Sequence, residues 1–219
     1  MKVLVAGATG ETGRRIVQTL SDRQIAVKAL VRDSDKAKRI LPTGVEVAVG
    51  DVLEPATLRP ALQDCTAVIC ATGASPSLDP TGPYKVDYEG TKNLVDAATA
   101  QNIDRFVIVS SLCVSKFFHP LNLFWLILYW KKQAEDYIQQ SGLTYTIVRP
   151  GGLRNENDQR PLVMEGADTL SDGNIPRQKV AEVCVEALFQ PEANNKIVEI
   201  VAEEKAEPRS LDSLFASVA

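Results

Sequence analysis

Three glycines open this chain's case for chemistry. Gly7, Gly10 and Gly13 recur at every third position in GATGETG, directly after the apolar run Val3–Ala6. Glycine loses more conformational freedom on folding than any other residue, so the spacing implies a tight turn or a close approach by another group. A glycine-rich turn from strand to helix bares backbone N–H groups toward a phosphate, with the positive end of the helix behind them. Gly7 then permits the turn, Gly10 admits the phosphates, and Gly13 lets the helix pack on the sheet. Thr9, Glu11 and Thr12 contribute through their backbone groups. The competing reading is a glycine-rich turn that holds no ligand.

A second set of charges narrows the ligand. Arg32 and Lys36 follow the second apolar run, in VRDSDKAKR. A site for NAD places an acidic residue there to accept from the ribose 2′-hydroxyl. A guanidinium instead suits a 2′-phosphate, through charge-assisted and often bidentate hydrogen bonds. The expected cofactor is therefore NADP(H). Asp33 is discordant, because its charge would repel a phosphate if it turned inward. Solvated surface charge is the alternative for Arg32 and Lys36.

These residues need a frame. Strand-like runs at Val3–Ala6, Ala26–Val31, Val45–Val49, Ala67–Ala71, Phe106–Val109, Thr144–Val148 and Ile197–Val201 alternate with helical patterns. The helices are expected at Arg14–Ser21, Ser34–Leu41, Ala56–Leu62, Tyr84–Gln101, Leu121–Ser141 and Gln178–Phe189, with apolar residues three and four apart. A tail helix, Leu211–Val218, follows Ser210 as its N-cap. The repeated β-α-β order predicts an α/β fold, a doubly wound and mostly parallel sheet of the Rossmann type in a single domain spanning residues 1–219. The polar stretch Asn155–Pro176, rich in turn formers, is expected as a loop region over the site.

Composition sets limits. The formal net charge is −4, which argues against a nucleic-acid partner. Cys65, Cys70, Cys113 and Cys184 match no zinc spacing, and no metal site is expected. Met1 runs straight into the first strand with no signal-peptide pattern, and no apolar stretch is long enough to cross a membrane. The expected location is the cytoplasm, or the chloroplast stroma after removal of a transit peptide.

Taken in order, GATGETG (Gly7–Gly13), VRDSDKA (Val31–Ala37), GDVLEP (Gly50–Pro55), VICATGA (Val68–Ala74), VDYEGTKNLVDAA (Val86–Ala98), FVIVSSL (Phe106–Leu112) and SGLTYTIVRPGGL (Ser141–Leu153) resemble the atypical short-chain dehydrogenase/reductases. GPYKVDY and NLFWLILYWKKQAE extend the likeness to the NADP-binding domain of a chloroplast inner-envelope translocon subunit and its small cyanobacterial relatives. Flavin and biliverdin reductases are more distant. The resemblance implies that Asp51 and Val52 border the adenine, and that Ala71, Thr72 and Gly73 line the cofactor. It also implies Ser110 and Ser111 near the nicotinamide, with Pro150, Gly151 and Gly152 walling its far side.

Ordinary members of that superfamily use Tyr-x-x-x-Lys, the tyrosine donating a proton. Lys131 takes the lysine place by the K-x-x-A-E pattern, which by the resemblance makes it a cofactor-binding residue that holds the ribose, but Ile127 stands where the tyrosine belongs. Tyr129, two residues before Lys131, faces about 200° away around a helix. Ser111 either orients a substrate or caps nearby backbone. His119 is a loop residue, near the nicotinamide or on the surface. Cys113 is either a reactive thiol or a packed one.

The stretch from Phe117 to Trp130 is crowded with apolar and aromatic residues, and between Leu123 and Trp130 none is of the charged kind. It is either buried, partly beneath Asn155–Pro176, or exposed as an apolar patch for a substrate, a protein partner or, through residues 117–132, a membrane such as the thylakoid. Two functions remain: an NADPH-dependent reductase of a flat apolar quinone or flavin, or a non-catalytic NADP(H)-sensing module that docks on a photosynthetic membrane complex or other partner.

Overall fold

The computed structural model describes residues 1–74 and 79–218. Its eight-stranded sheet runs in the order β3-β2-β1-β4-β5-β6-β10-β8. The strands are β1 (Lys2–Ala6), β2 (Ala26–Val31), β3 (Glu46–Val49), β4 (Ala67–Cys70), β5 (Arg105–Val109), β6 (Tyr145–Pro150), β8 (Leu162–Gly166) and β10 (Lys196–Ala202). All neighbours pair in parallel except β8, which runs antiparallel to β10 along the edge. The strand order reverses between β1 and β4, and such a switch point opens a crevice beyond the carboxyl ends of the strands.

The period-two alternation of β1 explains the layers. Val3 and Val5 point into one core with Ile16, Val17 and Leu20 of α1 (Glu11–Asp22) and Val180 and Cys184 of α6 (Arg177–Glu186). Leu4 and Ala6 point into the other with Leu58 of α3 (Pro55–Leu62), Leu94 of α4 (Gly90–Ala100) and Ile138 of α5 (Ile127–Gln140). Both faces of the strand are covered, so it reads as a continuous apolar run. The remaining helices are α2 (Ser34–Ile40) and α7 (Leu211–Ser217), the latter capped by Ser210 as expected. A π-type turn, Tyr84–Glu89, opens the α4 helix.

Two expectations fail here. Asn155–Pro176 is not simply a loop: it supplies β8, and β9 (Asn174–Pro176) pairs with β7 (Gly152–Arg154) in a small separate sheet. The alternation of Leu162 to Gly166 is too short to stand out among turn formers, and β10 provides the pairing edge that makes it a strand.

Nor is Leu121–Ser141 one helix. Pro120–Leu123 forms a 3₁₀ turn, Trp125 and Leu126 take left-handed φ angles of 58° and 57°, and α5 starts only at Ile127. The buried side chain of Asn122 dictates this. Its Oδ1 accepts from Leu128 N (2.9 Å) and Tyr129 N (3.1 Å), and its Nδ2 donates to Phe117 O (2.8 Å). Asn122 thus caps α5 from outside the helix, so its first turn needs no cap from Leu126.

Candidate functional site

The glycine turn lies at the switch point. Gly7 has φ +76°, and a Cβ there would sit 2.6 Å from Ala71 O, so no other residue fits the turn or the approach to the end of β4. A Cβ on Gly13 would overlap Gly7 O, which explains the third glycine as helix packing. Gly10 differs. It is the N-cap of α1, its N–H donates to Gly7 O at 2.9 Å, and a Cβ would meet only Gly7 O, at 3.2 Å. Among the described residues, a Cβ on Gly73 would meet only Asp87 Oδ1, at 3.6 Å. The fold's own packing explains Gly7 and Gly13; among the described residues a Cβ on Gly10 makes one tight contact and a Cβ on Gly73 one ordinary contact, so packing alone does not account for these two glycines, whereas a close-lying dinucleotide does. The residues fit such a group.

Around this turn the charges face outward. Arg32 is exposed and approaches Asp51 Oδ2 only to 4.0 Å, and Lys36 makes no ion pair among the described residues. Asp33 does not oppose them. Its Oδ1 accepts from Asp35 N and Lys36 N, both at 2.9 Å, and these backbone bonds hold its carboxyl below the usual range. The discordant residue is the N-cap of α2, its charge turned onto that helix's positive end. Glu11, at the glycine turn, is gripped by Arg15 (3.1 Å) and Arg14 (2.7 Å), and the Arg15 bond first among these holds it below the usual carboxylate range. Thr12 is buried, and its hydroxyl meets Arg177 Nη1 at 3.3 Å.

Asp51 is half-buried, with Oδ1 accepting from Leu53 N at 3.0 Å. Val52 is packed: a Cβ on Gly90 would lie 2.7 Å from its Cγ2. Ala71 N donates to Ala6 O, and Thr72 Oγ1 lies 3.2 Å from Cys70 Sγ. Asp51 and Val52 thus follow β3, and Ala71 and Thr72 follow β4, at the carboxyl ends of neighbouring parts of the sheet.

The β5–α5 side is built in the opposite way. Lys131 Nζ lies 2.8 Å from Asp87 Oδ1, and Asp87 Oδ2 accepts from Ala74 N at 3.2 Å. Burial pulls the Lys131 ammonium down, but Asp87 outweighs it and its pKa is raised. The residue in the family's lysine place therefore ties α5 to the segment after Gly73. Ser110 Oγ donates to Glu135 Oε1 at 2.5 Å. Arg149, wholly buried, binds Glu135 Oε2 (2.7 Å), Asp168 Oδ1 (2.9 Å) and Glu199 Oε1 (3.2 Å). Glu199 also accepts from Asp168 N (3.0 Å) and Leu170 N (2.7 Å). This network fixes Ser110 and leaves its neighbour Ser111, half-buried and free of hydrogen bonds among the described residues, at the end of β5.

The other candidates resolve structurally. His119 Nδ1 accepts from Leu121 N at 3.2 Å, capping the 3₁₀ turn. Cys113 is buried and its Sγ donates to Ser171 O at 3.3 Å, so it is a packed thiol. Tyr129 packs edge-on against Phe117 and Trp130, away from Lys131. Gly151 N and Gly152 N donate to Ile200 O and Gly173 O, and a Cβ on Gly151 would lie 2.7 Å from Gly173 O. Pro150, the last residue of β6, and these glycines thus form a wall held by the β7–β9 pair. Burial of the apolar stretch is overturned: Phe118 is 96% and Leu123 84% exposed.

Sequence reasoning passed over Arg15, Asp87, Glu135, Asn155 and Arg177. Arg177 and Thr12 lie 165 positions apart, so no local pattern joins them. The one available signal was the K-x-x-A-E pattern, which contains Glu135 beside the singled-out Lys131.

A family model described as NAD(P)H-binding matches residues 7–191. The chain is 50% identical to an uncharacterised chloroplast protein of Arabidopsis thaliana, over 99% of this chain and 82% of that protein. It is 36% identical to the chloroplast protein TIC 62 of the same plant, over 99% of this chain but only 38% of TIC 62. Sanguinarine reductase of Eschscholzia californica is 33% identical over 91% of this chain and 88% of its own length. Among solved structures, a putative NAD-dependent epimerase/dehydratase from Bacillus halodurans superposes with a TM-score of 0.88 at 26% identity, covering 99% of each chain.

Proposed function

We propose, from the premise that the chain belongs to the NAD(P)H-binding family, that it is an NADPH-dependent reductase of a flat, apolar acceptor of the quinone or flavin class. The Gly7–Gly13 turn and the α1 N-terminus receive the diphosphate, and Arg32 with Lys36 receives the 2′-phosphate, which sets the preference for NADP(H). When bound, the nicotinamide supplies a hydride. Ser111 orients the acceptor from the end of β5. Asp87 and Lys131 hold the wall behind Gly73, and the Glu135–Arg149 pair holds Ser110 and so the backbone that carries Ser111.

The observation that carries the reading is the first turn of α5. Ile127 stands four residues before Lys131, and the nearest tyrosine is packed among aromatic rings. Among the described residues no tyrosine stands in the place from which the superfamily protonates a ketone. A quinone or flavin takes a hydride at one atom and its proton from water, so it needs no protein acid. Support also comes from sanguinarine reductase, by its name a reductase. The test is steady-state NADPH oxidation with quinones, flavins and ferricyanide. Turnover above background that falls about tenfold in Ser111→Ala is expected, the size of a lost orienting hydrogen bond. Turnover of ketones alone would overturn the acceptor class.

The exposed segment favours a second reading, an NADP(H)-responsive docking module. Phe117, Phe118, Leu121, Leu123, Phe124, Trp125 and Leu126 all face solvent within ten residues. In this reading the module works in the stroma or its cyanobacterial equivalent and touches a membrane or partner through residues 117–132; that relatives are named as chloroplast proteins supports the compartment. No helix among the described residues is long and apolar enough to cross a membrane. NADPH binding without turnover, together with vesicle or partner association that changes with NADPH, would favour it over the reductase.

A further inference from the structure

Arg177 is the first residue of α6, and it reaches the phosphate turn from the far end of the chain. Its Nη1 lies 3.3 Å from the hydroxyl of Thr12, the second residue of α1. Its Nε donates to Asn155 Oδ1 at 2.9 Å, and the same residue's carbonyl accepts from Arg15 Nη2 at 3.3 Å. The guanidinium is thereby oriented on two sides while its Nη2 has no protein acceptor among the described residues.

Its charge is also unmatched. Arg177 forms no ion pair among the described residues; the carboxylate nearest in charge, Glu11, is already gripped by both Arg14 and Arg15. Three guanidinium groups thus surround one carboxylate at the mouth of the turn, in a chain whose net charge is −4. Burial, the larger influence, and the neighbouring Arg15 both lower the pKa of Arg177, and Glu11 only partly offsets them. A half-buried cation without a counter-ion is costly unless a ligand supplies the anion. A strut between α6 and α1 would need only a neutral amide.

We propose that Arg177 is a cationic anchor for the diphosphate of the bound dinucleotide, held ready by Asn155 and distinct from the Arg32–Lys36 pair that meets the 2′-phosphate. The proposal rests on the reading that the Gly7–Gly13 turn holds the cofactor. Its chemistry is that of a guanidinium donating charge-assisted hydrogen bonds to phosphate oxygens, the geometry for which arginine surpasses lysine.

The test compares equilibrium binding of NADPH, adenosine 2′-monophosphate and inorganic pyrophosphate to wild type, Arg177→Gln and Arg177→Lys. Arg177→Gln is expected to weaken NADPH about tenfold or more and to leave adenosine 2′-monophosphate within about twofold. Arg177→Lys is expected to fall between, because it keeps charge and loses the fork. Should the glutamine variant not fold, competition of pyrophosphate against NADPH decides: Arg177→Lys should weaken it several-fold, about threefold or more. NADPH affinity within about twofold of wild type in both variants, or equal losses for NADPH and adenosine 2′-monophosphate, would overturn the assignment. A wild-type protein that binds no NADPH at all would instead refute the cofactor reading before any variant is made.

Discussion

The β1–α2 half of the crevice and the β5–α5 half carry cations of very different standing. In the first, Arg32 and Lys36 point outward with at most one loose 4.0 Å approach to a carboxylate. In the second, Lys131 and Arg149 are closed onto Asp87, Glu135 and Glu199 at 2.7–3.2 Å. Outward, unmatched charge is available to a ligand anion; inward, matched charge is architecture. The difference teaches that the two ends use their cations differently: one keeps them loose or unpaired, which the proposed function uses for the cofactor's phosphates, and the other commits them to rigidity. The family's lysine place belongs to the rigid end.

Arg149→Met separates the two ends most forcefully. It leaves two fully buried carboxylates without their cation, and urea unfolding should register a loss of about 3–5 kcal/mol. A loss below about 1 kcal/mol would show that the β5–α5 charges are not the fold's own.

Arg32→Ala should act at the other end and on the ligand only. The preference for NADPH over NADH is expected to fall about thirtyfold, read by titration of both cofactors, with the unfolding midpoint unmoved. Equal affinities for the two in wild type would end the distinction. Gly10→Ala brings its methyl 3.2 Å from Gly7 O, a tight contact that lowers the unfolding midpoint slightly, and should weaken NADPH about tenfold. A normal affinity would mean that no group approaches there.

The smallest effect belongs to Asp33→Asn, which keeps a capping oxygen and removes the charge near Arg32 and Lys36. NADPH should tighten about two- to threefold, an exposed-charge effect that salt removes. The acid titration changes too. Asp33's folded pKa is depressed, so its contribution is present above the unfolded value near 4 and is lost as pH falls through the depressed one. The asparagine variant should lack that component of acid unfolding.

Much of the frame around the outward half was legible in the sequence. Gly7, Gly13 and the β-α-β order depend on local backbone geometry and short-range patterning, which periodicity reports. Asp33 was misjudged in part, since its role as a cap was read only as a charge. The inward half was less legible because its pairs cross the sheet: Arg149 meets Glu199 50 positions away and Glu135 14 positions away. The β8 strand was missed for the same reason, as its partner is β10 and not its chain neighbours. The absent tyrosine at Ile127 was plain, because a fixed offset on a helix needs no tertiary knowledge. Its helix was nonetheless drawn about two turns too long, since the apolar residues that mimicked helical spacing turn outward around Asn122.

That asparagine has a wider consequence. A protein segment ordinarily owes its shape to the greasy side chains it hides, so altering them unravels it. Between Phe117 and Tyr129 the arrangement is reversed: an amide hub at Asn122 sets the contour, and the oily side chains form its rim. Shape and surface chemistry are thereby uncoupled. Descendants of this chain are free to exchange Phe118, Leu123 or Phe124 for other side chains, and so to change what the rim touches, without redrawing the backbone that Asn122 holds.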